Sequence, residues 1–381
     1  MLHAPTIEKI QMVDLRNQYL KIKPDIDYAI QACIDSTNFI KGPQVGAFEE
    51  QLADYLNVKS VVSCANGTDA LQIAMMALDL KPGDEVIVPA FTYVATAEVI
   101  GLLGLVPVMI DVDPQTFNIN RNIVEAAMTP KTKLVVPVHL FGQCVDMESI
   151  LELTNTHDIN VIEDTAQAIG ATYTFKNGTT KRAGALSHFG TTSFFPSKNL
   201  GCFGDGGAVY TNDTSLAQKA RMIANHGQPK KYFHEVIGIN SRLDTLQAAI
   251  LQEKLKHLDT YTEARQKAAT YYDEVLNAIE AIEIPYRATN STHVFHQYTI
   301  KVPAQVRDDF KNYLSQKGIP AMVYYPIPLN QQKAYQGLGR TVGNLPNTQD
   351  LCKRVISLPM HTELTDVQME YITTSISAYF S

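Results

Sequence analysis

The 381-residue chain is predicted to be an α/β protein, with a large domain built on a mainly parallel sheet and a smaller α+β domain at its C-terminal end. Three observations predict this. Short apolar runs alternate with helical patterns through the first half, as a parallel sheet with helices on both faces requires. The length exceeds what one ordinary domain needs. The residues able to do chemistry fall just after the apolar runs, at the carboxyl ends of strands, where such sheets bind ligands.

Taken in order, residues 1–11 read as a loose arm. A helix over about 23–36 puts Ile26, Ile30, Cys33 and Ile34 on one face, and a second over 45–56 carries the stripe Phe48, Leu52, Tyr55. Phe39 to Gly42 is the turn between them. Strands then follow at 61–64, 85–88, 107–111, 134–138 and 161–163. Helices at 69–78, 94–101, 123–127 and 147–156 separate them. After Lys198 come a strand over 207–211, a helix over 215–224 and a polar loop over 225–240. A long helix over about 243–277 connects to the smaller domain, which has strands at 295–302 and 321–325 and helices at 306–317 and 365–380. The expected division is 1–250 for the large domain, arm included, and 251–381 for the small one.

The bulk numbers exclude several functions. A net charge of −7 and a pI near 5.8 give no attraction to nucleic acid or to an anionic membrane. Val99 to Ile110, the longest apolar stretch, is broken by Gly101, Gly104 and Pro107 and is too short to span a bilayer. The five cysteines are scattered, which suits reduced thiols in a cytoplasm and neither a disulfide framework nor a zinc site. The N-terminus lacks the layout of a signal peptide. The histidines show no metal-ligand spacing, so no metal is expected.

The most informative segment is Thr191 to Gly201, which ends in Ser197-Lys198-Asn199 and runs into Gly201, Gly204, Gly206 and Gly207. It presents one lysine at a strand edge. A lysine held there with a displaced proton equilibrium is suited to an imine with a carbonyl. Pyridoxal 5'-phosphate (PLP) is the carbonyl cofactor that needs such a lysine, and it also needs an acid at its pyridinium nitrogen. The strand Val161-Ile162-Glu163 delivers Asp164 for that position, with Gln167 one turn further on. Asp164 could equally be a strand-end helix cap.

Asn66-Gly67-Thr68-Asp69 sits between a strand and a helix, where Gly67 and Thr68, with Ser193, could hold a phosphate; an ordinary helix cap would look the same. Tyr93, after the strand ending at Pro89, could stack on a flat ring, although a core aromatic is the commoner use. His139 follows a strand and could be a satisfied buried histidine. His226, His234, Asn240 and Arg242 lie in or beside a polar loop suited to a surface or an interface. The run Gly201 to Gly207 is no dinucleotide fingerprint, because a strand follows it and no acid is placed for a ribose.

These segments together resemble the DegT/DnrJ/EryC1/StrS group of PLP-dependent sugar aminotransferases, of the aspartate-aminotransferase fold (PLP-dependent transferase fold type I). Further marks are Gly42-Pro43, Pro82-Gly83-Asp84-Glu85-Val86, Pro137-Val138-His139-Leu140-Phe141-Gly142, Asn225-His226-Gly227, Asn240-Ser241-Arg242-Leu243-Asp244 and Pro326-Ile327-Pro328-Leu329. The resemblance covers nearly the whole chain. It implies that Lys198 forms the imine, Asp164 pairs with the ring nitrogen, Tyr93 covers the ring and Gln167 meets the ring oxygen. It also implies phosphate contacts from Gly67, Thr68 and Ser193, and from Asn240 across a homodimer interface.

The implied reaction takes nitrogen from L-glutamate, leaves pyridoxamine 5'-phosphate, and aminates a keto sugar on a nucleotide. Implied substrate positions are His139, Arg242, Tyr324, Tyr325 and Asn330. Tyr324 and Asn330 stand where the family often has histidine. The runs Cys64 to Asp69 and Phe91 to Thr96, together with Leu329-Asn330, look most like enzymes that aminate a UDP-linked 3-oxo-glucuronate, which suggests surface-polysaccharide synthesis. A 3- or 4-keto-6-deoxy sugar is the alternative acceptor. A dehydratase of the same fold lacks the imine lysine, and a PLP-binding module without turnover would not need the full catalytic set.

Overall fold

The computed structural model describes residues 9–381, so most of the expected N-terminal arm lies outside the described residues. Helices α1 (Leu15–Lys21), α2 (Lys23–Ser36) and α3 (Pro43–Leu56) come first. The latter two carry proline in the first turn, where no intrahelical N–H is needed, and end on Thr37 and Asn57 in the left-handed region. Strand β1 (Ser60–Cys64) then leads into α4 (Gly67–Ala77), and β2 (Glu85–Pro89) into α5 (Ala95–Leu102). The alternation continues through β3 (Val106–Ile110), α6 (Arg121–Ala127), β4 (Thr132–Val135), α7 (Met147–Thr156) and β5 (Asn160–Asp164).

A polar hairpin, β6 (Thr172–Thr174) and β7 (Thr180–Arg182), precedes β8 (Phe189–Ser193), β9 (Gly207–Thr211) and α8 (Thr214–Ile223). The remaining elements are α9 (Thr245–Leu255), α10 (Leu258–Leu276), β10 (Tyr298–Lys301), α11 (Arg307–Gln316), β11 (Arg340–Thr341), α12 (Pro346–Arg354), β12 (Val355–Leu358) and α13 (Asp366–Phe380).

Eight strands form one sheet in the order β1-β9-β8-β5-β4-β2-β3-β11. All pairs from β8 to β11 are parallel, and β9 alone runs the other way, antiparallel to both β8 and β1. Cys64, Pro89, Asp164 and Ser193 therefore end their strands at the same edge of the sheet. The central strands are buried on both faces, which is why they read as unbroken apolar runs. Cores lie on both sides, one around Leu71, Val88, Ile100 and Phe189, the other around Ile87, Ile110, Ile150 and Val161. A separate core, containing Tyr272, Phe295, Phe310, Ile356 and Ile372, surrounds the antiparallel pair β10–β12.

Three expectations change in detail. The long helix over 243–277 is two helices broken at Lys256-His257. Leu251 of α9 packs beside Phe48 and Leu52, whereas Tyr272 and Leu276 of α10 belong to the other core, so the chain must redirect between them. The strand over 321–325 reduces to a single bridge, Met322 to Ser357, because the following tyrosines turn away. Residues 326–345, counted with the small domain, return to the large sheet: β11 pairs with β3, and Leu329, Tyr335 and Leu345 join its core.

Candidate active site

The edge where the parallel strands end carries a cavity of about 610 Å³. Its walls include Gly67, Thr68, Tyr93, Asp164, Gln167, Ser193, Lys198, Tyr324 and Tyr325. Apart from Tyr324 and Tyr325, each of these residues owes its place to a strand end. β1 hands over to α4 at Asn66, whose side chain accepts from Asp69 N–H at 2.8 Å. Among the described residues the N–H groups of Gly67 and Thr68 keep no intrachain partner and form the positive end of the helix dipole. A Cβ at position 67 would lie 2.6 Å from Ser193 Cβ, so glycine is required for β8 and this helix end to approach.

The last residue of β5 is Asp164. Its carboxylate is buried and accepts from Thr96 Oγ1 at 2.9 Å and from Ala166 N–H at 3.1 Å. Gln167 has its carbonyl oxygen fixed by Phe141 N–H at 2.7 Å, and its amide donates to Tyr325 OH at 3.1 Å. The second amide hydrogen is left for a ligand. Tyr93 is 59% exposed at the rim, with its ring 6.4 Å from that of Tyr325.

Lys198 sits in the turn after β8, its N–H bonded to Phe195 O at 2.8 Å. Burial lowers its amine from the usual 10.5 to about 8, with the Asp164 charge opposing the shift. A substantial fraction is thus neutral near physiological pH, as nucleophilic and proton-transfer roles require.

The other expected residues lie elsewhere. His139 is a correction: its ring is fully buried in the core, where Nδ1 accepts from Val145 N–H at 3.1 Å and Nε2 lies 3.0 Å from Glu163. It cannot reach a substrate. Asn330 follows Leu329, whose N–H is tied to Ala90 O, and it does not line the cavity. Asn240 is exposed and bridges to Asn225. Arg242 lines a neighbouring groove with Lys41 and Arg221, where burial, and then the charges of Arg242 and Arg221, lower the Lys41 amine.

Two of the wall residues that sequence reasoning missed bear directly on the chemistry. Thr96 looks like an interior residue of an apolar helix. His296 is buried beside Lys198 and held well below the usual histidine range, first by burial and then by the Lys198 and Arg265 charges. No spacing pattern marks either one.

A group with a carbonyl, a phosphate and a basic ring nitrogen fits this set of donors. The cavity offers an amine of lowered basicity, unpartnered N–H groups at a helix start, and a buried carboxylate. Fold and pocket together define a PLP-dependent transferase of fold type I. Comparison with known proteins narrows this: the DegT/DnrJ/EryC1/StrS aminotransferase family matches residues 20–377, and the chain belongs to it.

A UDP-2-acetamido-2-deoxy-3-oxo-D-glucuronate aminotransferase of Pseudomonas aeruginosa is 46% identical, over 97% of this chain and 99% of its own. A "pleiotropic regulatory protein" of Geobacillus stearothermophilus is also 46% identical, over 97% of this chain and 98% of its own. The crystal structure of S. venezuelae DesV in complex with a ketimine intermediate superposes with a TM-score of 0.94 at 36% identity, covering 98% of this chain and 99% of DesV. The protein is thus a PLP-dependent aminotransferase. Among the described residues no group of three acidic, cysteine or histidine side chains could hold a metal, and no helix is long and apolar enough to cross a membrane.

Proposed function

We propose that the protein moves the amino group of L-glutamate to a UDP-linked 3-oxo-2-acetamido-glucuronate, giving the 3-amino sugar for a surface polysaccharide. The observation that carries this reading is the convergence of Lys198, Asp164, Gln167 and Tyr93 on one cavity. The Pseudomonas relative, by its name, acts on such a sugar. Bound PLP supplies an electron sink for the carbon that exchanges nitrogen.

The chain's own groups do the rest. Lys198 supplies a neutral amine that takes and returns a proton within the pocket. Asp164 holds a proton on the ring nitrogen. Tyr93 covers the ring, and Gln167 donates to the ring oxygen. Gly67, Thr68 and Ser193 hold the phosphate. Tyr324 and Tyr325, with Arg242 from the groove, are the proposed sugar contacts.

The proposed assembly is a homodimer, with Asn240 reaching the cofactor phosphate of a second copy. Asn240 is exposed outside its own cavity, and the loop leading to it carries exposed Tyr232, Phe233 and Ile237, an apolar surface suited to a partner. The proposed compartment is the cytoplasm, in keeping with five buried, unpaired cysteines. A binding module without turnover would have no use for the full set around Lys198.

The test is the absorption spectrum of the PLP-loaded protein with L-glutamate, followed by a panel of nucleotide sugars. Glutamate should convert bound PLP to the amine form, and the 3-oxo-uronate should reverse it. Lys198→Ala should keep the fold and PLP binding but lose turnover. Full activity in that variant, or preference for a 4-keto-6-deoxy sugar, would defeat the respective part of the proposal.

A further inference from the structure

We infer that Thr96 is a positioning residue: its hydroxyl keeps the Asp164 carboxylate aimed at the cofactor's ring nitrogen, so that the proton there keeps its anionic partner. The inference rests on the role proposed for Asp164. The geometry is direct. Thr96 Oγ1 donates to Asp164 Oδ2 at 2.9 Å, with Thr96 1% and Asp164 6% exposed. The other oxygen, Oδ1, takes the N–H of Ala166 at 3.1 Å. Among the described residues each carboxylate oxygen therefore has one donor, and Thr96 is the one that donates from a side chain. Together the two bonds fix the orientation of the carboxylate.

What Thr96 does not do is equally informative. A threonine in a helix ordinarily turns its hydroxyl back to a carbonyl three or four residues earlier. Here the hydroxyl crosses from the first turn of α5 to the end of β5 instead. Nor does it cap the helix: Thr96 is the second residue of α5, and Val94 at the cap position makes no side-chain capping bond. Tyr93 lies three residues before Thr96, and both line the cavity. One chain segment thus supplies the ring cover and the group that sets the carboxylate.

The consequence is electronic. Without the hydroxyl the carboxylate loses its aim, and the ring nitrogen, with a poorly placed anionic partner, holds its proton less firmly. A neutral ring is a weaker electron sink. Losing one hydrogen bond to a charged group should slow turnover roughly tenfold to a hundredfold.

The experiment compares wild type, Thr96→Val, Thr96→Ser and Asp164→Asn, each loaded with PLP labelled at the ring nitrogen. The readouts are the NMR shift of that nitrogen and the rate of cofactor loss. The valine variant, nearly isosteric, should move the signal toward the unprotonated form and release cofactor faster, while serine should stay near wild type. If valine does not fold, alanine takes its place in the same comparison. A valine signal at the wild-type position overturns the inference, as does serine behaving like valine, which would assign the effect to the methyl group. An unchanged signal in Asp164→Asn overturns the assignment of Asp164 itself, and with it the inference.

Discussion

Glu163→Gln should destabilise the protein by several kcal/mol although the residue touches neither cofactor nor solvent. Glu163 is fully buried next to Asp164 in β5. One carboxylate oxygen, Oε1, accepts from Leu186 N–H, Ser187 N–H and Ser187 Oγ, each at 3.0 Å. The other, Oε2, accepts from Gly184 N–H at 2.8 Å and faces His139 Nε2 at 3.0 Å. Because Nδ1 of His139 accepts from Val145, the proton sits on Nε2, and that nitrogen is a donor too.

An amide oxygen can keep the first three donors, but the amide nitrogen then points two hydrogens at two other donors. Two charge-assisted bonds are lost, each worth about 1.5–3 kcal/mol, so the expected cost is about 3–6 kcal/mol. That is a large share of the roughly 5–15 kcal/mol by which proteins of ordinary stability hold their fold. Denaturant unfolding of the apoprotein, fitted with a common m-value, measures it. A loss below about 1 kcal/mol would show that the carboxylate is not the hub of this network, and the reasoning would fail.

Two other outcomes follow from buried groups near the site. Gly67→Ala brings a Cβ to 2.6 Å from Ser193 Cβ, which forces β8 and α4 apart. It should cost about 1–3 kcal/mol and weaken PLP retention on dialysis, and retention at the wild-type level would contradict the close approach. Lys254 is 2% exposed, donates to Gly201 O at 2.6 Å, and is lowered by burial from 10.5 to about 8. The folded state gives up this proton first, so between those values the unfolded chain binds more protons and stability rises with pH, by at most about 1.4 kcal/mol per unit. Lys254→Met should flatten that rise in unfolding curves taken across the window; equal slopes in both proteins would refute it.

The large sheet was legible because its strands are short, apolar and separated by helices with clear stripes. The site was legible where chemistry and position coincide, as at Asp164 on a strand end and Lys198 before a glycine run. What escaped has physical causes. β12 is a four-residue strand, apolar but for Ser357, directly after the polar helix α12, with no turn residue between them. β11 has two residues and exists only because β3 offers an edge. The hairpin β6–β7 is polar throughout, save Tyr173. Thr96 and His296 act through tertiary contacts to β5 and the Lys198 turn, which no local spacing encodes. His139 carried a family motif but serves the core, and only its burial and its bonds to Val145 and Glu163 distinguish the two uses.

The return of residues 326–345 to the large sheet acts as a suture. The chain leaves the first core after α9, builds most of the second, and stitches back through Leu329, Tyr335 and β11 before β12 completes the small antiparallel pair. Tyr324 and Tyr325 sit between those stitches: Met322 is bridged to Ser357 on one side, and Leu329 is tied to Ala90 on the other. A fragment ending at residue 250 would leave β3 as a bare edge, open to pairing with other chains. Splitting the protein into two halves that reassemble therefore calls for a cut in an exposed loop within one core, not at the crossing between them.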